Sequence, residues 1–172
     1  MGDTIEREDG ERMRTRAMTT TDDRLLAAAI EQAEIGRREG GIPIGAVLAL
    51  DGKVLGAGHN RRVQLGSAIR HGETDALENA GRLPATTYAA ATMYTTLSPC
   101  HMCSGAILLY GIRRVVIGEN RTFLGAEDLL REHGVEVVNL DSPRCFELMT
   151  EFIAGNPSLW HEDIGEADDD DG

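Results

Sequence analysis

Apolar positions come in short, differently spaced blocks along the chain. Leu26, Ile30 and Ala33 recur at helical spacing, which predicts a helix over 23–38. Thr21 or Asp22 can cap it and Gly40-Gly41 ends it. Pro43 then opens an extended segment. AVLAL (46–50) and KVLGAG (53–58) flank Asp51-Gly52, a dipeptide suited to positive φ, and together read as a hairpin. Both runs are mostly apolar, as expected of a sheet covered on both faces. Further helices are predicted over 71–79, from Pro99 to Gly111, over 126–134 and over 143–155, with strands at 93–97, 113–118 and 135–140.

The order α-β-β-α-β-α-β-α-β-α joins most strands through helices. Such strands run parallel with right-handed crossovers. The expected fold is therefore α/β: a three-layer α/β/α sandwich on a mixed five-stranded sheet. Residues 1–22, which mix charges with threonines, read as a flexible N-terminal arm. The folded domain spans 23–166, and 167–172 form an acidic disordered tail. Neither end is expected to carry chemistry.

The 172 residues suit one domain with one core. No apolar run reaches the roughly 18 residues of a membrane span, and the acidic start is unlike a signal peptide. The expected location is cytoplasmic. The net charge of −12 repels phosphate backbones and lowers the expectation of a nucleic-acid partner. The three cysteines are an odd number, which argues against a disulfide framework.

Two of these cysteines sit in Pro99-Cys100-His101-Met102-Cys103, at the start of a predicted helix. Residues i and i+3 share a helix face, so both sulfurs can aim at one point. The positive end of the helix favours the thiolate that a metal needs. His71, at another helix start, supplies a third ligand. Three protein ligands leave the fourth tetrahedral position of one catalytic Zn2+ open to water. Zinc brings such water to a pKa near ~7, and Glu73, two residues past His71, is placed to move its protons. His-x-Glu followed by Pro-Cys-x-x-Cys is a known signature of zinc deaminases. A thioredoxin-like redox pair would leave Pro99 and His71-Gly72-Glu73 unexplained, and a structural zinc site lacks a fourth strong ligand. Cys145 reads as a small buried residue. His59 and His133 read as hydrogen-bonded or exposed loop residues, and His101 as pointing away from the metal.

On these motifs the chain resembles the cytidine-deaminase-like superfamily, and within it fungal-type cytosine deaminase. The resemblance covers about 23–166. It is carried by EGGIPIGAVL, GHNRR, GSAIRHGE, LENAGRL, YTTLSPCHMCSGAILLYGI, GEN and WHEDIGE. It implies a homodimer that converts cytosine to uracil and ammonia. It implies that Asn60 hydrogen-bonds the pyrimidine, that the Gly72 N–H meets the ring carbonyl, and that Asp163 accepts from a ring N–H. Phe123 and Trp160 would be apolar walls, and Ser98 of LSPC joins the substrate-binding set. The chain departs from the fungal pattern at Val63, Ile69, Arg70, Thr74, Asp75 and His161.

A carboxylate clamp suits a free base, which shows an N–H where a nucleoside carries its sugar. The expected function is zinc-dependent deamination of cytosine, with Glu73 as proton carrier. The alternatives are a tRNA adenosine deaminase, a guanine or other purine-base deaminase on the same metal site, and a non-catalytic zinc protein.

Overall fold

Asp51 and Gly52 take φ of 50° and 74° and turn strand β1 (Gly45–Leu50) back onto β2 (Lys53–His59). Only residues that tolerate positive φ make this tight turn, so the hairpin forms where the dipeptide stands. One residue is bulged where the register shifts after Leu48. The computed structural model describes residues 21–167. The predicted arm and tail lie outside them, apart from positions 21, 22 and 167.

Helix α1 occupies 21–38. After β2 come α2 (Arg62–Leu65), α3 (Gly72–Ala80), α4 (Ala85–Ala90), β3 (Thr92–Leu97) and α5 (His101–Leu109). Then follow β4 (Arg114–Glu119), α6 (Glu127–Glu132), β5 (Glu136–Asn139), α7 (Pro143–Gly155) and α8 (Pro157–Asp163). The sheet order is β2-β1-β3-β4-β5. β1 is antiparallel to both β2 and β3, while β3, β4 and β5 run parallel. The mixed five-stranded sheet is the expected one.

Strand residues alternate between the two faces. Ala46, Leu48, Met93, Val115 and Ile117 face a layer with Ala76 of α3, Tyr88 of α4, Ile107 of α5 and Leu130 of α6. Val47, Ala49, Tyr94 and Val116 face Leu25, Leu26 and Ala29 of α1 and Cys145 of α7. These are the two outer layers of the sandwich. β1 is covered on both sides, but the turn end of the edge strand β2 is open, with Lys53 and Val54 exposed.

Helices approach the sheet closely where it lacks side chains. A Cβ at Gly45 would lie 2.0 Å from the Ala29 carbonyl oxygen of α1. Asp22, which the pattern left on the arm or offered as a cap, lies within α1 and is buried. Its carboxylate accepts from the Tyr94 hydroxyl at 2.8 Å and from Arg114 at 2.9 and 2.8 Å. It thus ties the start of α1 to β3 and β4. Helices α2, α4 and α8 were not foreseen, and α8 matters most for the site.

Candidate active site

Two chain segments enter helices at the same end of the sheet. His71 is the N-cap of α3 (φ −72°, ψ 170°) and Cys100 the N-cap of α5 (φ −67°, ψ 174°). Each holds extended backbone that turns its side chain toward the other. Cys103, one turn into α5, is fully buried. His71 Nδ1 lies 3.5 Å from Cys100 Sγ and 3.7 Å from Cys103 Sγ. All three donor atoms fall within 4.8 Å of one another. A tetrahedral zinc bonded at ~2.1 Å to nitrogen and ~2.3 Å to sulfur spans donor pairs roughly 3.6 Å apart. One ring nitrogen and two thiols at these separations fit that ion.

Glu73 is the second residue of α3 and is buried. Its Oε1 accepts from the Thr95 hydroxyl at 2.9 Å, and its Oε2 lies 3.3 Å from Cys103 Sγ. The carboxylate therefore stands beside the donor set and is held from the floor of β3. Burial, and then the neighbouring Cys100, push the Glu73 carboxyl above its ordinary value. That suits a group that must both take and give a proton. The hydrogen bond with Cys103, supported by His71, brings the Cys100 thiol down to about 4 against the opposing effect of burial. Cys103 moves up, because Cys100 ionises first and Cys103 is buried. Burial works against charge on His71, but Cys100, Glu73 and Asp163 together raise it.

Beside the donors is a small pocket. Ile44, Leu97, Phe123, Trp160 and Ile164 form its apolar walls, while His71, Glu73, Ser98, Cys100 and Asp163 also line it. Phe123 and Trp160 meet edge to face with centroids 5.9 Å apart. Asp163, at the end of α8, is buried and lies 3.9 Å from His71 Nε2. It accepts from Asn60 Nδ2 at 3.1 and 3.3 Å and from Arg62 Nη1 at 3.0 Å. Asn60 is fully buried, and its Oδ1 accepts from the Arg62 N–H. Gly72 is the first residue of α3, so its N–H has no carbonyl partner within the helix. The Ser98 hydroxyl donates to Glu127 at 2.8 Å and accepts from Gly125 N at 2.9 Å. It is thus occupied in holding the loop that carries Phe123, and Ser98 meets the pocket beside that link.

Of the candidates named from the sequence, His71, Glu73, Ser98, Cys100, Phe123, Trp160 and Asp163 line the pocket, and Cys103 completes the donor set. Asn60 stands behind Asp163, and Gly72 lies between His71 and Glu73 in the chain. The structure adds Thr95 and Arg62. Thr95 is one of three threonines in β3, and nothing in the sequence set it apart from Thr92 and Thr96. Arg62 stands in GHNRR, one of the segments that carry the resemblance, but nothing local pointed to its partner, 101 positions away. A separate groove of about 740 Å³ lies along α3, α4 and α5, lined by Leu77, Leu83, Tyr88, Leu109 and Tyr110 among others.

A three-layer sandwich that sets an imidazole, two thiols and a buried carboxylate at two helix starts defines a zinc-dependent hydrolase. The sequence profile of the "Cytidine and deoxycytidylate deaminase zinc-binding region" matches residues 19–119. The chain belongs to that family and is a zinc-dependent deaminase. It is 59% identical over 150 residues to a cytosine deaminase of Candida albicans, covering 87% of this chain and all of the relative. It is 39% identical over 139 residues to a tRNA-specific adenosine deaminase of Streptococcus pyogenes, covering 75% of this chain and 87% of that one. A solved structure from work on A-to-I editing by tRNA deaminases at the wobble position superimposes with a TM-score of 0.62 at 29% identity. The match covers 73% of this chain and 99% of that one.

Proposed function

We propose that the chain converts cytosine to uracil and ammonia, with His71, Cys100 and Cys103 holding the zinc and Glu73 moving the protons. The observation that carries the substrate is Asp163: a buried carboxylate, fixed from behind, that faces the pocket beside the metal donors. An acceptor at that place welcomes a ring N–H and repels a sugar-bearing nitrogen. The 59% identity to a cytosine deaminase supports the same reading.

When bound, zinc supplies the Lewis acidity that makes water a nucleophile near neutral pH. The residues do the rest. Phe123 and Trp160 hold a flat, neutral ring and exclude bulk water. The Gly72 N–H offers a donor to the ring carbonyl. Glu73 takes a proton as the water oxygen adds to C4 and passes it to the ring nitrogen N3. It then carries the C4 hydroxyl proton to the amino group, which leaves as ammonia as the C4–N bond breaks and C4 becomes the carbonyl of uracil. With Cys103 held as a thiolate donor, Oε2 of Glu73 would no longer receive its proton and would be free for this work. Thr95 keeps Oε1 in place.

We also propose a cytoplasmic homodimer. The three free cysteines suit a reducing compartment, and the groove along α3, α4 and α5, with Leu109 exposed beside it, offers an apolar contact for a second copy. Among the described residues no helix is long and apolar enough to cross a membrane.

The test is ammonia release by zinc-quantified protein from cytosine, 5-methylcytosine, guanine, adenine, cytidine and adenosine. Cytosine is expected to lead by a wide margin over cytidine. A preference for guanine or adenosine, or tight RNA binding that falls steeply with salt, would replace this reading with the purine or tRNA alternative.

A further inference from the structure

Arg62 stands on α2, outside the pocket lining, with its side chain 14% exposed. It nevertheless touches both polar residues of the clamp. Its backbone N–H donates to Asn60 Oδ1 at 3.1 Å, which turns the amide nitrogen of Asn60 toward Asp163. Its Nη1 donates to Asp163 Oδ1 at 3.0 Å. The same guanidinium grips Glu162 through both terminal nitrogens, at 2.8 and 2.7 Å, and its Nε donates to the Ala68 carbonyl at 3.1 Å. A planar fork held at this many points has little freedom left.

The loading of Asp163 is uneven. Oδ1 receives Arg62 and the shorter bond from Asn60, while among the described residues Oδ2 receives only the 3.3 Å share of the Asn60 amide. A carboxylate oxygen accepts about two bonds, so Oδ2 keeps capacity for one more donor. We propose that Arg62 is a positioning residue that determines substrate specificity. It pins Asp163 so that Oδ2 presents a fixed acceptor to the N1–H of the base, and N1-substituted pyrimidines are refused. The inference rests on cytosine being the substrate. Without Arg62, the buried carboxylate keeps Asn60 as its only close donor among the described residues and can turn away.

The experiment is steady-state kinetics of zinc-loaded wild type, Arg62→Gln, Arg62→Lys and Glu162→Gln on cytosine and 1-methylcytosine, with zinc content and Tm measured alongside. A lost charge-assisted hydrogen bond corresponds to roughly ten-fold or more in binding. Arg62→Gln should raise KM for cytosine by about that factor while kcat falls less. The kcat/KM preference for cytosine over 1-methylcytosine should narrow by a similar factor. Arg62→Lys should recover part of both effects, and Glu162→Gln should show a smaller version. If wild type leaves cytosine untouched, the substrate reading falls and this inference with it. If wild type turns over cytosine but Arg62→Gln keeps KM and discrimination within two-fold, or loses only kcat, the role of Arg62 alone is overturned. Should Arg62→Gln fail to fold, unchanged discrimination in both remaining variants overturns it equally.

Discussion

At Glu73, burial and proximity to the metal donors coincide. If this carboxylate carries the protons, Glu73→Ala should keep one zinc per chain by elemental analysis while kcat falls by about 10²–10⁴. A variant that stays nearly fully active would remove Glu73 from the mechanism. Asp22 makes a different prediction, about stability. Burial alone would raise its carboxyl, but hydrogen bonds from Arg114 and Tyr94 hold it below its usual 3.8. Its stabilising effect is therefore present above about that pH and fades as pH falls through the lowered folded-state value. Asp22→Asn should cost about 2 kcal/mol at pH 7 by urea titration, and the gap to wild type should close in strong acid. An equal gap at pH 7 and pH 3 would contradict the pairing. The metal donors and the carboxylate beside them were legible in the sequence because they come in two local pairs: Cys100 and Cys103 share a helix face, and His71 and Glu73 are two residues apart. The clamp was legible in part. Asp163 was implied by the resemblance of WHEDIGE, but what holds it was hidden by a separation of more than one hundred residues.

The pattern revealed the long elements and, among the short helices, only α6, whose six residues are followed by Gly134. Helix α7 was read at Pro143–Gly155, where the apolar stripe is complete and Ser142 caps it through the Cys145 N–H. Helices α2, α4 and α8 have four, six and seven residues, too few for a 3.6-residue repeat to declare itself. Helix α8 also follows α7 after a single break at Asn156, with Pro157 at its first turn. The tight seat of α1 on β1 makes the element-scale prediction. Gly45→Ala puts a methyl group onto the Ala29 carbonyl and should destabilise by about 1–3 kcal/mol. Gly105→Ala, inside α5 with nothing within 4 Å of the new Cβ, should instead stabilise by about 0.4–1 kcal/mol. Equal Tm shifts for the two would show that α1 yields freely.

Across the whole molecule, the metal donors join two helices that otherwise meet the sheet side by side. His71 enters α3 and Cys100 enters α5, so an ion held between them braces that layer. Removing zinc with a chelator should abolish turnover and lower Tm, and adding zinc back should restore both. A Tm unaffected by chelation would mean that the layer stands without the ion. The five-stranded sheet and both helical layers followed from the order of the elements. Where the pocket closes did not, because α8 returns across the molecule to the mouth of α3.

That return has a consequence for the nascent chain. The candidate metal donors are all translated by Cys103, whereas Asp163, the carboxylate proposed to meet the base, arrives sixty residues later. At roughly 5–20 residues per second the ribosome needs several seconds to cover that stretch. A chain emerging from the tunnel thus carries its full metal-donor set before the carboxylate proposed to separate a free base from a nucleoside has been made.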